Sequence, residues 1–127
     1  MSPRVRRYDS TQRVRTSQEY AEVKERGVAV RGTHCLLLVL AKPSEPTRVG
    51  FITSKKGVGN AVQRNRARRR LREIVRVRWP RVSATGYWLV VIARRTAGTA
   101  LHQDLANDVE HVLAAAGALE PMGDIPS

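Results

Sequence analysis

Eleven lysines and arginines fall within the 27 residues from Lys55 to Arg81 (KKGVGNAVQRNRARRRLREIVRVRWPR), and Glu73 is the only acid among them. Ammonium and guanidinium groups at this density do one kind of chemistry well, the neutralisation of phosphates. Gly57 and Gly59 punctuate a loop, and Asn60 with Gln63 three residues on has the spacing of a capping box that opens a helix. Beyond it Ala67, Leu71, Ile74 and Val75 recur at i, i+4, i+7 and i+8, one apolar stripe to bury. Asn65, Arg69, Arg72 and Arg76 repeat at helical spacing on the far side, and Arg66, Arg68 and Arg70 widen the basic surface. Trp79-Pro80 ends the run, because a residue before proline is pushed out of the helical region. The stretch predicts a helix of about 18 residues, about 27 Å long. Like charges one turn apart cost a few tenths of a kcal/mol per pair. A merely solvated face would interleave acids, which are missing here, so a polyanion is the partner that accounts for the pattern.

Catalysis by the protein itself would need a constellation, and none is legible. His34, His102 and His111 have no metal-ligand spacing with each other or with Cys35, and the acids form no pair suited to holding Mg²⁺ or to acid–base work. Gly57-Val-Gly59 before a helix resembles a phosphate cradle but lacks the spacing of the Walker or dinucleotide motifs. Any chemistry must then come from a partner.

The whole composition points the same way. The 127 residues suffice for one domain with a single modest core. Residues 1–95 hold all 23 Lys and Arg against six acids, a balance of +17, whereas residues 96–127 hold five acids and no Lys or Arg, a balance of −5. A basic body with an acidic end and a pI near 11.3 fits nucleic-acid binding. Nineteen of the 23 cations are arginine, whose planar fork suits phosphates and base edges. With one cysteine no intrachain disulfide is possible, and Cys35 sits in an apolar run as a buried thiol. No signal-peptide pattern or apolar run of membrane-spanning length is present, so a soluble, cytoplasmic protein is expected. Docking on an anionic membrane is disfavoured because the basic helix lacks a broad insertion face of Trp, Phe or Leu.

The elements that position the basic stretch follow from periodicity. Residues 1–16 read as a flexible basic arm (Arg4, Arg6, Arg7, Arg13, Arg15), residues 17–117 as the folded domain, and residues 118–127 as a flexible acidic tail. Thr16 or Ser17 caps a first helix that runs to about Arg26 before Gly27 and puts Tyr20, Val23 and Lys24 on one face. Tyr20 there either stacks on a base or packs on the core. Val28 to Val30 predicts a short strand, and His34 to Leu40 a central one buried on both faces. Lys42 to Pro46 predicts a turn, and Arg48 to Ser54 a strand paired with the preceding one. Tyr87 to Ala93 predicts a further strand, followed by a turn at Thr96 to Thr99. A last helix spans about Ala100 to Ala116, with Leu101, Leu105, Val109, Val112 and Leu113 on its apolar side. The order α-β-β-β-α-β-α describes an α/β (α+β) two-layer sandwich with a small, mostly antiparallel sheet.

Ser54 to Glu73, SKKGVGNAVQRNRARRRLRE, resembles the signature of the bacterial ribonuclease P protein subunit: a basic pair, a glycine-containing loop, an alanine, Arg-Asn-Arg, further cations and a Leu-Arg-Glu ending. Here these are Lys55, Lys56, Val58, Ala61, Arg64, Asn65, Arg66, Arg68, Arg69, Leu71 and Arg72. Tyr20 and Gly27 in the first helix, Arg48-Val49-Gly50 opening a strand and Ala93-Arg94-Arg95 closing one extend the likeness from about Arg13 to Ala116. The resemblance implies a left-handed β-α-β crossover through the basic helix, as in a domain of elongation factor G and some ribosomal proteins. It implies a protein subunit of the ribonucleoprotein that removes the 5′ leader of precursor tRNA, with catalysis and Mg²⁺ held by the RNA and substrate. RNase P RNA and the precursor leader are then the partners, and no obligate protein partner is implied. The RNA-binding residues would be Lys55, Lys56, Asn60, Arg64, Asn65, Arg66, Arg68, Arg69, Arg72 and Arg76, with Tyr20 and Lys24 in a leader cleft. Lys24 stands where the family often has an aromatic, and a cation there suits a leader phosphate. The competing reading is a general RNA-binding or ribosome-associated protein without an endonuclease role.

Overall fold

The computed structural model describes residues 12–119, in the order α1 (Ser17–Arg26), β1 (Val28–Arg31), β2 (Cys35–Pro46), β3 (Arg48–Ile52), α2 (Ala61–Arg78), β4 (Thr85–Ala93) and α3 (His102–Ala115). The arm expected over residues 1–16 and the tail expected over 118–127 lie largely outside the described residues. The described ends pack on the domain. Val14 is buried and its N–H donates to the Val49 carbonyl, while Ala118 and Leu119 are buried and Leu119 bridges to Val82.

Four strands form one sheet in the order β1-β2-β4-β3. β1–β2 and β2–β4 are antiparallel, with Leu37 opposite Val91, whereas β3 lies parallel to β4 with Gly50 opposite Val90. The sequence expectation that β3 pairs with β2 is therefore corrected. β2 does not turn at Lys42 but continues to Pro46, and the chain then crosses the start of β4 at buried Thr47, whose N–H donates to the Ala84 carbonyl. Prolines tolerate extended backbone. The turn signal survives only as a register shift between Lys42 and Pro46, with Ser44 at a φ of 73°. β3 and β4 thus form a parallel pair joined through α2, the β-α-β crossover on which the basic stretch rides.

Alternation along β4 separates two cores. Leu89, Val91 and Ala93 face α2 and α3 and meet Ala67, Leu71, Ile74, Val75, Trp79, Leu105, Val109 and Val112. Trp88 and Val90 face the other way and meet Val23 of α1, Val14 and Leu40. The sandwich of sheet and α2/α3 thus has α1 across part of its second face, leaving Leu38, Ile52 and Ile92 there half-buried.

α3 begins at His102, two residues later than expected. Leu101 is 74% exposed at its N-cap, so the apolar side starts at Leu105. Asp108 docks α3 onto the β1–β2 turn by accepting the N–H groups of Thr33 (2.8 Å), His34 (2.8 Å) and Cys35 (3.1 Å). Glycine is required beneath it, since a Cβ on Gly32 would fall 2.6 Å from Asp108 Oδ2.

Candidate nucleic-acid interface

α2 starts as its sequence dictates. The Asn60 side chain accepts the Gln63 N–H at 2.9 Å, and the Gln63 side chain accepts the Asn60 N–H at 2.9 Å. Asn60 Oδ1 and Gln63 Oε1 are committed to the cap, so Asn60 shapes the start of the candidate surface. The buried stripe is Ala67, Leu71, Ile74 and Val75, which turns Asn65, Arg69, Arg72 and Arg76 outward as expected.

The cations divide by what they touch. Lys55, Lys56, Arg66, Arg69 and Arg72 are exposed and, among the described residues, form no ion pair; Asn65 beside them is exposed too. Arg64 is half-buried, with its Nε shielded and without a hydrogen-bond partner among the described residues. Arg68 donates from Nη2 to Thr53 Oγ1 at 2.8 Å. Arg70 instead donates to the carbonyls of Ala97 and Ala100, so it anchors the 3₁₀ turn Arg95–Gly98 against α2. Arg76 is held by Glu73 through two bonds, Nε to Oε1 at 2.9 Å and Nη2 to Oε2 at 2.5 Å. That pair lowers the Glu73 carboxyl and raises Arg76, the hydrogen bond being the main cause for both. Arg78 and Arg81 both meet Glu110, at 3.1 and 3.2 Å.

Two of the hollows beside the helix meet the expected site residues. One, about 600 Å³, lies between the lysine loop, the start of α2 and the 3₁₀ turn, with Lys55, Lys56, Arg66 and Arg95 on its walls. From sequence Arg95 figured only in the Ala93-Arg94-Arg95 strand end and not among the RNA-binding residues; Arg70, together with a 2.7 Å contact between His34 Nδ1 and Thr96 Oγ1, holds its turn in place. The other, about 550 Å³, lies between α1 and β3 and is lined by Arg15, Tyr20, Lys24, Phe51, Thr53 and Arg68 among others. The structure thus brings the two cleft residues Tyr20 and Lys24 to the same groove as Arg68 of the basic helix.

Tyr20 is fixed by its surroundings. Its hydroxyl accepts the Phe51 N–H at 3.3 Å, and its ring lies so close to β3 that a Cβ on Gly50 would fall 2.5 Å from the hydroxyl. Below it Arg13, Arg68 and Arg72 line a smaller hollow of about 260 Å³. α1 is held over the sheet by Glu19 to Arg48 (2.9 Å) and Glu22 to Lys42 (2.7 Å), and both cations sit over the Trp88 ring, at 5.4 and 4.2 Å.

Among the described residues the acids are not gathered into a metal-ligand set. Glu19, Glu22, Glu73 and Glu110 are each paired with a cation and Asp108 with backbone N–H groups, and no group of three or more candidate ligands exists among the described residues. Among those residues, too, no helix is long and apolar enough to cross a membrane.

Residues 8–117 match the family model described as Ribonuclease P. The chain belongs to the ribonuclease P protein family. Among curated relatives, a ribonuclease P protein component of Symbiobacterium thermophilum is 41% identical over 112 residues, covering 87% of this chain and 96% of the relative. One from Gluconacetobacter diazotrophicus is 39% identical, covering 86% and 94%. Among solved structures, an RNase P protein from Staphylococcus aureus superposes with a TM-score of 0.75 at 26% identity, covering 91% of this chain and 97% of that one. The Thermotoga maritima protein shares the fold, with a TM-score of 0.71 at 20% identity over 81% of this chain and 96% of that one. The α+β sandwich and the family expected from Ser54 to Glu73 both stand.

Proposed function

We propose that this chain is the protein subunit of an RNase P ribonucleoprotein, which cleaves the 5′ leader from precursor tRNA. The protein binds the catalytic RNA through the lysine loop and the outward cations Arg66, Arg69 and Arg72 of α2. It receives the leader in the groove between α1 and β3. Mg²⁺ belongs to the RNA and substrate. The protein supplies cations that relieve phosphate repulsion where the two RNAs meet, and so strengthens substrate and metal binding without performing the chemistry. A cytoplasmic location suits that task.

The observation that carries this reading is Arg68. It stands on the basic helix yet reaches Thr53 at 2.8 Å on the wall of the Tyr20–Lys24 groove. One continuous cationic surface therefore serves both RNAs, and a single strand entering the groove meets an aromatic ring and two further cations, Arg15 and Lys24.

Replacing Arg64, Arg66 and Arg69 together by alanine tests the RNA interface. Affinity for RNase P RNA should fall roughly tenfold or more at moderate salt, with a shallower salt dependence and an unchanged unfolding transition. Unchanged affinity would remove α2 from the interface.

A further inference from the structure

We propose that Glu73 sets the edge of the phosphate-binding surface on α2. The RNA backbone is held by the turns up to Arg72, and the turn carrying Arg76 is kept out of it because a carboxylate leaves that turn electrically neutral. The inference rests on the RNA-binding reading above and adds a boundary to it.

The division is visible in the partners. Up to Arg72, the outward cations of α2 and its loop, Lys55, Lys56, Arg66, Arg69 and Arg72, face no acid among the described residues. Beyond Arg72 every cation of the helix has an acid: Arg76 has Glu73, and Arg78 shares Glu110 with Arg81. The switch falls within one turn. Glu73 and Arg76 keep side-chain exposures of 53% and 56%, so burial does not withdraw them from an RNA. What withdraws them is charge. The pair is a two-point fork at 2.9 and 2.5 Å, the geometry in which arginine meets a carboxylate or a phosphate best.

An exposed ion pair is weak in water, so a phosphate can draw Arg76 away from Glu73. The freed carboxylate then faces that same phosphate, and its repulsion offsets what Arg76 contributes. Val77, 58% exposed in the same turn, offers a phosphate nothing. The turn of α2 that carries Arg76 is therefore poor ground for RNA although it carries an arginine. Arg76, which sequence spacing placed with Arg69 and Arg72, is separated from them by its partner.

Binding of the full chain to RNase P RNA across a salt series tests this, with Arg69→Ala as the reference. Arg69→Ala should weaken binding and lower the salt slope by about one. Arg76→Ala should stay within about twofold of the parent. Glu73→Gln should bind roughly fivefold tighter at low salt and steepen the slope by about one, because it releases one cation for phosphate. That gain should vanish in the Glu73→Gln/Arg76→Ala double variant. Arg76→Ala falling as far as Arg69→Ala, or Glu73→Gln binding no tighter than the parent, would overturn the proposal. No loss in Arg69→Ala would instead remove the RNA-binding reading on which the proposal stands.

Discussion

Tyr20 shows how much one side chain's role depends on what lies beneath it. Sequence left two roles open, a base-stacking platform and a core residue. In the structure one edge rests on the backbone of Gly50 and Phe51, and the ring also lines the groove beside Lys24. A base stacked on an aromatic contributes about 1–3 kcal/mol. Tyr20→Ala should therefore weaken precursor tRNA binding by roughly tenfold while mature tRNA binding changes little, and Tyr20→Phe should retain most of the affinity. Equal losses for both RNAs in Tyr20→Ala would assign the ring to the core instead. The other cations were legible as cations but not as individuals. Arg70 and Arg69 look alike in sequence, yet one holds the carbonyls of Ala97 and Ala100 and the other faces solvent. Only the fold, which brings the Arg95–Gly98 turn beside α2, separates them.

Elements were legible wherever the signal was local. The Thr16–Glu19 and Asn60–Gln63 capping boxes start α1 and α2 at the expected residues, because each cap is closed within four residues of chain. Strand partners were not. Lys42 to Pro46 reads as a turn between two strand-like runs, so a hairpin was the natural expectation, but β4 inserts between β2 and β3 and supplies pairing on both sides. Nothing local in Arg48–Ile52 encodes that choice; the apolar run of β4, buried on both faces, competes for it. The lock between α3 and the β1–β2 turn was equally invisible, since Asp108 reads as one more surface acid on a helix. Burial alone would raise its carboxyl, yet the N–H groups of Thr33, His34 and Cys35 outweigh that and hold it below the usual aspartate range. A depressed folded value means its stabilisation is fully present above the ordinary aspartate pKa of about 3.9 and is lost as pH falls through the folded one. Asp108→Asn should cost about 2 kcal/mol at pH 7 in urea unfolding. The gap to the parent should narrow below about pH 4. A gap constant with pH would mean that the charge of Asp108 contributes nothing.

At the scale of the whole molecule, charge and fold divide the work. Among the described residues the cations concentrate on α2, its loop and the groove beside α1, while Glu110 holds the far end of the basic helix and Asp108 the β1–β2 turn. The class of fold was readable because seven elements announce themselves in order, and the polyanion partner because the arginines outnumber any internal use for them. The groove was legible only through the family resemblance and not from periodicity, because its walls come from α1, β3 and α2, elements that only the crossover brings together. The central claim is that this surface assists an RNA that performs the cleavage. Its most direct test is 5′ cleavage of a precursor tRNA by a bacterial RNase P RNA at low Mg²⁺, with and without the protein. The account predicts a large gain in rate at the correct site and no cleavage by the protein alone. No gain, despite tight binding to the same RNA, would contradict it and leave a general RNA-binding protein.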